Sequence, residues 1–294
     1  MGRTKLNNPS TIQRLTARRL EILTLCARYR YLDIKHLLAL LGDHNSKDYL
    51  RIKALKDTGL LNYLPNPTFK RDTLTASQVL EITQAGKEQL SQRHVEIHPV
   101  TWLAAGTYKE PVHNLNLCLA LASIEIALRN AFIPWGMIES KAPTLDRKLY
   151  SFKIGNHLVV PDAMFSVEYR NHFACFAVEL DMTNHGKAEY RAKYQRYEDL
   201  IFGGLYRAQL GMTQKLYVLT ITTNEIRKNN IIDALPPKTS PFLFKVIQQY
   251  GLFDKPPAPT LDILDGWERD GQRVNLKGGD WFGHRSHPRT ARPT

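Results

Sequence analysis

Apolar residues recur at helical spacing in the first part of the chain. Leu20, Leu23 and Ala27 follow the i, i+3, i+7 pattern of a stripe that faces a core, and Thr16 precedes them as an N-cap. Asp33 has the same capping role before the next apolar run. The predicted elements are helices at residues 17–30, 33–41, 46–57 and 84–93, and short strands at 60–64 and 79–83.

This order of elements is typical of a winged helix-turn-helix, in which three helices are followed by two strands joined by a basic loop. In that fold the third helix enters the DNA major groove and the loop forms the wing. The candidate DNA contacts are Lys47 and Arg51 on the third helix and Lys70 and Arg71 on the wing. Two alternatives stay open: these charges are solvated surface groups, or the unit binds another protein.

Two apolar runs in the second half of the chain end in acidic residues. Asp162 closes the first run, at residues 159–162, and the second run alternates over residues 173–181. Because side chains alternate along a strand, Glu179 and Asp181 are predicted to share one face. If the two strands are neighbours, three carboxylates converge, which is the oxygen-rich environment that Mg²⁺ binds. The alternative is that these acids are simply solvated strand ends.

Further elements frame these runs. Thr183 is predicted to cap the helix after the second run, so that the helix N-terminus favours a DNA phosphate beside the acids. That helix carries a tyrosine stripe with Lys193 at its edge, and Glu139 on a preceding strand is a candidate to assist the acids. The predicted elements are helices at 112–132 and 187–202, and strands at 135–140 and 215–221.

The chain is therefore expected to divide into a first unit at residues 1–97, a linker at 98–110, a second unit at 111–255 and a tail at 256–294. The tail begins with prolines, is rich in glycine and arginine, and is expected to be disordered. Its arginines are either a non-specific phosphate-binding arm or solvated charges without a partner. They are Arg285, Arg289 and Arg292.

Composition points to a polyanionic partner. The 294 residues carry a net charge of +12, and the isoelectric point is about 9.6. Nucleic acid is the first expectation, although a basic protein without such a partner is the alternative. No run approaches the roughly 18 apolar residues of a membrane span, so no membrane partner is expected. The three scattered cysteines are typical of buried thiols in a reducing cytoplasm.

Several motifs together resemble the replication-relaxation family of plasmid proteins, whose relatives include one class of plasmid mobilisation relaxases. The second unit also resembles the core of the PD-(D/E)xK nuclease superfamily, with its order of helix, three strands, helix and strand. The resemblance covers most of residues 15–225. Its motifs are Ile82-Thr83-Gln84-Ala85-Gly86, His113-Asn114-Leu115, Val160-Pro161-Asp162, Val178-Glu179-Leu180-Asp181 and Lys193-x-x-x-Tyr197.

The resemblance implies an α+β protein in which a winged helix-turn-helix precedes a restriction-endonuclease-like core. It also implies that Asp162 and Glu179 bind Mg²⁺ or Mn²⁺, with Asp181 as a third ligand. In the superfamily a lysine stands two residues after the glutamate. Here that position is Asp181, so either Lys193 supplies the missing cation or the core has lost cleavage. Tyr197 is more consistent with packing than with a nucleophile.

The function implied is therefore a metal-dependent DNA nickase or relaxase that acts near an origin in a bacterial cytoplasm. The alternative is a non-catalytic DNA-binding initiator or repressor with a degenerate nuclease-like unit. The partner implied is double-stranded DNA, with single-stranded DNA left open as an alternative, and no strand preference follows from the sequence. A homodimer and other replication or mobilisation proteins are further partners that such a role allows.

Overall fold

The computed structural model describes residues 15–42, 45–63, 79–97, 100, 111–137, 152–169, 172–182, 185–211, 213–235, 241–251 and 257–278. Within these residues the chain forms eight α-helices and three β-sheets, which confirms the mixed α+β class. In the same part of the chain no helix is long and apolar enough to cross a membrane.

The first unit consists of helices around a small antiparallel sheet with strand order β1-β3-β2. Its helices begin where side chains accept hydrogen bonds from free backbone amides: Thr16 from Arg19 N at 3.4 Å and Asp33 from Lys35 N at 2.8 Å. The elements are α1 (Ala17–Tyr29), β1 (Tyr31–Asp33), α2 (Ile34–Leu41), α3 (Ser46–Asp57), β2 (Leu61–Tyr63), β3 (Val79–Ile82) and α4 (Gln84–Ser91).

The second unit is built on a seven-stranded sheet with strand order β12-β11-β10-β9-β8-β7-β4. Strands β8, β9 and β10 are parallel, whereas β4, β7, β11 and β12 join antiparallel at the two sides. The elements are α5 (Pro111–Asn130), β4 (Trp135–Met137), β7 (Ala163–Tyr169), β8 (His172–Asp181), α6 (Lys187–Phe202), α7 (Leu205–Leu210), β9 (Lys215–Thr222), α8 (Glu225–Ile232), β10 (Phe242–Val246), β11 (Trp267–Arg269) and β12 (Gln272–Val274).

The two faces of β8 enter different cores. Phe176 and Val178 belong to the larger core, which also contains the buried side of α5. Cys175 and Ala177 belong to a smaller core with three tyrosines of α6. The alternation predicted for residues 173–181 is therefore confirmed, and each face of the strand is covered by one helix.

A short hairpin that the sequence pattern did not predict lies beside α6. Strands β5 (Phe152–Ile154) and β6 (His157–Val159) pair with each other and contact α6. Phe152 and Val159 pair with each other and are buried in the smaller core, whereas Leu158, which pairs with Lys153, is 57% exposed. The hairpin therefore forms one wall of a cleft at the surface of α6.

The expectation of a disordered tail from residue 256 is wrong for residues 257–278. Strand β11 pairs with β10, and Trp267 is fully buried in the larger core together with Ile263 and Leu264. Burying a tryptophan and two aliphatic side chains offsets the conformational entropy of ordering this segment. Strands β11 and β12 also cover the edge of the parallel sheet, which would otherwise expose unpaired backbone groups. Arg285, Arg289 and Arg292 lie outside the described residues.

Helix α5 was assigned to the second unit, yet it packs against both. On one side it contacts the large sheet, and on the other it contacts α2 and β1. Glu125 lies at this contact with no solvent exposure. Its carboxylate accepts a hydrogen bond from Tyr29 and pairs with Arg129 and, at 3.3 Å, with Arg28. A buried ion cluster therefore joins α1 to α5.

Glu125→Gln tests this junction. Two arginines lose their anion in a buried site, so we expect the free energy of unfolding to fall by about 3 kcal/mol. The measurement is urea unfolding followed by circular dichroism. Glu21→Gln is the matched control, because Glu21 pairs with Arg18 at 3.0 Å on the surface and should cost less than about 1 kcal/mol. Equal costs for the two variants would contradict a stabilising role for the cluster.

Candidate active site

The predicted acids lie at one edge of the large sheet. Glu179 and Asp181 end β8 as expected, but Asp162 precedes β7 and does not close a strand. The prediction that Asp162 ends a strand was wrong, because the apolar run before it ends in the separate hairpin. It still meets the other acids because β7 is antiparallel to β8: Ala163 pairs with Val178, so the start of β7 lies at the end of β8.

Glu179 is the central carboxylate of this edge and is 3% exposed. Lys193 Nζ donates to its Oε2 at 2.7 Å, and the Tyr197 hydroxyl donates to its Oε1. Both donors come from α6, one turn apart on the face that packs against the sheet. The tyrosine is therefore a hydrogen-bond donor that holds the glutamate, consistent with its predicted packing role.

Asp162 approaches the same edge from β7. Its Oδ2 accepts a hydrogen bond from the Leu180 amide at 2.8 Å and lies 3.5 Å from His113 Nε2. The same imidazole nitrogen lies 2.9 Å from the Leu180 carbonyl oxygen. Helix α5 thus supplies one residue, His113, that fixes Asp162 relative to the end of β8.

Asp181 is held by a different set of partners. Tyr190 donates to its Oδ2 at 2.9 Å, and Arg227 Nε lies 3.8 Å from the same oxygen. Arg227 also donates to Thr223 Oγ1 at 2.7 Å, which holds the guanidinium at the start of α8. These contacts make Asp181 part of an ion pair that ties α6 and α8 to the sheet.

The protonation states follow from burial and from the neighbouring charges. Burial raises the pKa of Glu179, and the negative charge of Asp162 raises it further, against the opposing effect of Lys193. Burial also acts to raise the pKa of Asp162, but His113, Lys193 and the Leu180 amide outweigh it, and the net shift in pKa is downward. Burial acts to lower the pKa of Lys193, yet Glu179 and Asp162 raise it above its usual value. Lys193 is therefore a protonated cation and not a base.

The three-carboxylate metal site that was expected is not formed. Within the described residues, no three side chains of His, Cys, Asp or Glu are placed together to hold a metal ion. Asp181 is turned to Tyr190 and Arg227, which leaves Asp162 and Glu179. Two carboxylates fit the donor chemistry of Mg²⁺, which takes one or two together with phosphate oxygens and water.

A cleft of about 480 Å³ opens beside Glu179 and Lys193. One wall is the end of the hairpin and the residue after it, and the other is the start and middle of α6. The volume lies within the range of about 300–1,000 Å³ typical of ligand sites. Its lining residues are Leu158, Val159, Val160, Glu179, His185, Glu189, Tyr190, Ala192, Lys193, Arg196 and Tyr197.

The predicted DNA contacts of the first unit divide into two kinds. Lys47 is exposed on α3, as a DNA contact requires. Arg51 instead pairs with the buried Asp48 at 2.7 Å, and Arg18 pairs with the same carboxylate at 3.1 Å. The hydrogen bond from Arg18 is the main reason that the pKa of Asp48 is strongly lowered.

Four of the predicted residues, Lys70, Arg71, Glu139 and Thr183, lie outside the described residues. Helix α6 begins after Gly186, so the prediction that Thr183 is its N-cap was wrong.

Three residues of this region were not predicted as site residues. His113 was noted only as part of a motif, and its contact with Asp162 joins positions 49 residues apart. Arg227 and Arg196 gave no signal beyond their charge, because only the packing of α8 and α6 brings them to Asp181 and to the cleft.

Lys193→Met tests the electrostatics of Glu179. Because burial already raises the folded-state pKa of Glu179, its contribution to stability declines as pH rises above the unfolded-state pKa. Removing Lys193 raises the folded-state pKa further, so we expect a loss of about 2 kcal/mol at about pH 8 and a smaller loss at about pH 5. Urea unfolding at both pH values measures this. In a Glu179→Gln background the same substitution should lose most of its pH dependence; an unchanged dependence would contradict the assignment.

One comparison with known proteins gave a match. A family model described as Replication-relaxation matches residues 23–216, about two thirds of the 294-residue chain. No curated protein and no solved structure matched the chain. The matched range runs from α1 to the start of β9, so it contains α3 of the first unit and the Asp162, Glu179 and Lys193 cluster of the second. The chain therefore belongs to the replication-relaxation family.

Proposed function

We propose that this protein acts on DNA in plasmid replication or mobilisation, with a winged helix that binds duplex DNA and a nuclease-like sheet that nicks one strand near an origin. Membership of the replication-relaxation family suggests the plasmid-related role. The nicking activity goes further, and one observation carries it: Glu179 and Lys193 line an open cleft at the edge of the sheet, and Asp162 lies at the same end of the paired strands β7 and β8.

The order of elements around this cluster supports the nuclease-like interpretation. Helix α5 covers one face of β4, β7 and β8, and α6 leads across the other face to the parallel strand β9. This is the helix, three strands, helix, strand order expected for such a core. The lysine that the motif lacks after Glu179 is supplied by α6, at 2.7 Å from the same carboxylate.

The surface of α3 supports the DNA-binding interpretation. Asp48, Ile52 and Leu55 face the protein interior, and the opposite side is exposed. A helix with solvated lysines and a few exposed large side chains suits the major groove, where charge binds phosphate and apolar groups contact thymine methyls. The exposed lysines and large side chains are Lys47, Tyr49, Leu50, Lys53 and Lys56.

The side chains of the cluster have separate roles in this proposal. Asp162 and Glu179 would hold Mg²⁺ or Mn²⁺, which supplies charge for the leaving phosphate oxygen and lowers the pKa of a bound water. Tyr197 and Lys193 orient Glu179, while His113 and the Leu180 amide orient Asp162. Because Lys193 is protonated, it contributes positive charge to the transition state of phosphoryl transfer.

A second candidate function is DNA binding without cleavage. It is favoured by the state of Glu179, since both of its carboxylate oxygens already accept hydrogen bonds from α6. An acid that is fully neutralised by the protein has less to gain from a metal ion. In that case the sheet is a scaffold or a clamp, and the winged helix carries the activity as an initiator or repressor.

Lys47→Gln/Lys53→Gln tests duplex binding. Removing two phosphate contacts should weaken binding to origin-containing duplex about tenfold or more and reduce the salt slope by about 1.8. Fluorescence anisotropy over a salt titration measures both quantities. The control is Lys87→Gln/Lys215→Gln, which removes the same charge from exposed lysines outside α3. If both double variants lose affinity equally, α3 is not the binding helix.

A plasmid-nicking assay tests cleavage. Supercoiled DNA that carries the origin is incubated with Mg²⁺ or Mn²⁺, and open circles are counted. We expect Asp162→Asn, Glu179→Gln and Lys193→Met each to lower the rate about 100-fold or more. Asp181→Asn is the control and should stay within about tenfold, because Asp181 contacts Tyr190 and Arg227 instead of the pair.

The outcomes separate the two candidates. Intact supercoils with wild-type protein, together with salt-sensitive duplex binding, would favour the non-catalytic function. Nicking that survives in both Asp162→Asn and Glu179→Gln would place the activity elsewhere in the chain or in a contaminant.

A further inference from the structure

Most charged side chains that line the cleft beside α6 are already paired within the protein. Two carboxylates line it, and each has a cationic or polar neighbour. Glu179 is paired with Lys193 at 2.7 Å, and Glu189 lies 3.2 Å from His185 and accepts a hydrogen bond from the Gly186 amide. Within the described residues, Arg196 is the lining cation that makes no ion pair. The cleft therefore offers one guanidinium to an external anion.

Arg196 is well placed to act together with the catalytic cluster. It follows Lys193 by three residues on α6, so the two side chains lie on the same side of the helix. A guanidinium presents several parallel donors that match the oxygens of a phosphate. A phosphate bound by Arg196 would thus lie one helical turn from the Lys193 ammonium.

The opposite wall of the cleft is apolar. Leu158, Val159 and Val160 line it, and Leu158 is 57% exposed although its neighbours Phe152 and Val159 are buried. A single exposed leucine is common on a protein surface. Here, however, it faces a cavity whose other wall carries the guanidinium of Arg196. Proteins that hold an unstacked base use apolar side chains of this kind together with contacts to its phosphate.

We propose that this cleft binds one unpaired nucleotide of a DNA strand, with Arg196 as the phosphate ligand and Leu158 as the contact for the base. The volume of about 480 Å³ lies within the range of small-ligand sites and suits one nucleotide. The inference rests on the proposed function, because it specifies that the strand at the acid edge is single-stranded when it is held. Duplex recognition stays with α3, so the two kinds of DNA bind at different places.

The experiment measures binding of the full-length protein to a short fluorescein-labelled oligothymidylate in EDTA, so that neither metal nor cleavage contributes. Arg196→Gln should weaken binding about tenfold, and the salt slope should fall by about 0.7. Arg191→Gln removes the same charge from an exposed position of α6 that does not line the cleft, and should stay within about twofold. Duplex binding should be the same in both variants.

The apolar wall is tested in the same assay. Leu158→Ser should weaken oligothymidylate binding about fivefold with an unchanged salt slope, because it removes apolar contact and no charge. Leu261→Ser is the control, since Leu261 is 61% exposed and lies outside the cleft. Far-ultraviolet circular dichroism checks that each variant is folded.

Two results would overturn the inference. One is an equal loss of affinity in Arg196→Gln and Arg191→Gln, which would mean diffuse attraction to a basic protein. The other is wild-type affinity in Arg196→Gln. If oligothymidylate binding depends on Arg196 but the wild-type protein does not nick, the strand site stands and the nicking proposal fails. If nicking depends on Asp162 but strand binding ignores Arg196, only the present inference fails.

Discussion

A charge buried on α5 is the constraint on which the arrangement of the two units depends. Glu125 has no solvent exposure, so its carboxylate is tolerated only while Arg28, Arg129 and Tyr29 surround it. Two of these three partners come from α1, in the first unit. Any motion that separates α1 from α5 would leave the Glu125 carboxylate buried without its α1 partners, and this would cost several kcal/mol of folding free energy. The two units are therefore held in one relative orientation.

The same helix also reaches the acid edge. His113 lies in the first turn of α5 and contacts Asp162, whereas Glu125 lies twelve positions later. A rise of 1.5 Å per residue places them about 18 Å apart along one helix. If the proposed roles are correct, the DNA-binding unit and the cleft are set at a fixed distance by a rigid element and not by a flexible linker. A nick would then fall at a constant offset from the recognised sequence.

The sequence was sufficient for elements whose signals are local. Helices α3 and α6 begin and end at the predicted residues, because caps, glycines and apolar periodicity all act within a few positions. The shared face of Glu179 and Asp181 follows from the two-residue period of a strand. Strand β11 was missed because its stability comes from Trp267, which packs into a core formed far away in the chain. Proximity to Gly- and Pro-rich sequence suggested disorder, and long-range packing outweighed it.

The ion-pair partners of the predicted site residues could not be predicted from local sequence either, because they depend on long-range packing. Arg51 has the spacing of a DNA contact, yet its nearest anion is Asp48 on its own helix, which Arg18 of α1 also binds. Asp181 has the spacing of a metal ligand, yet Tyr190 and Arg227 hold it. In both cases a charged side chain found a closer opposite charge within the fold, and this reduces what it can offer to an external ligand.

The position of Lys193 shows why geometry defines this cluster better than a linear motif does. A lysine two residues after Glu179 on the strand would point to the α6 face of the sheet, because residues at even spacing share a face. Lys193 on α6 approaches that face from above and contacts the same carboxylate at 2.7 Å. If the sheet is nuclease-like, as proposed, either origin would bring a cation to the glutamate, and the absence of a strand lysine would not leave Glu179 without one. Asp181 at the strand position instead anchors α8 through Arg227.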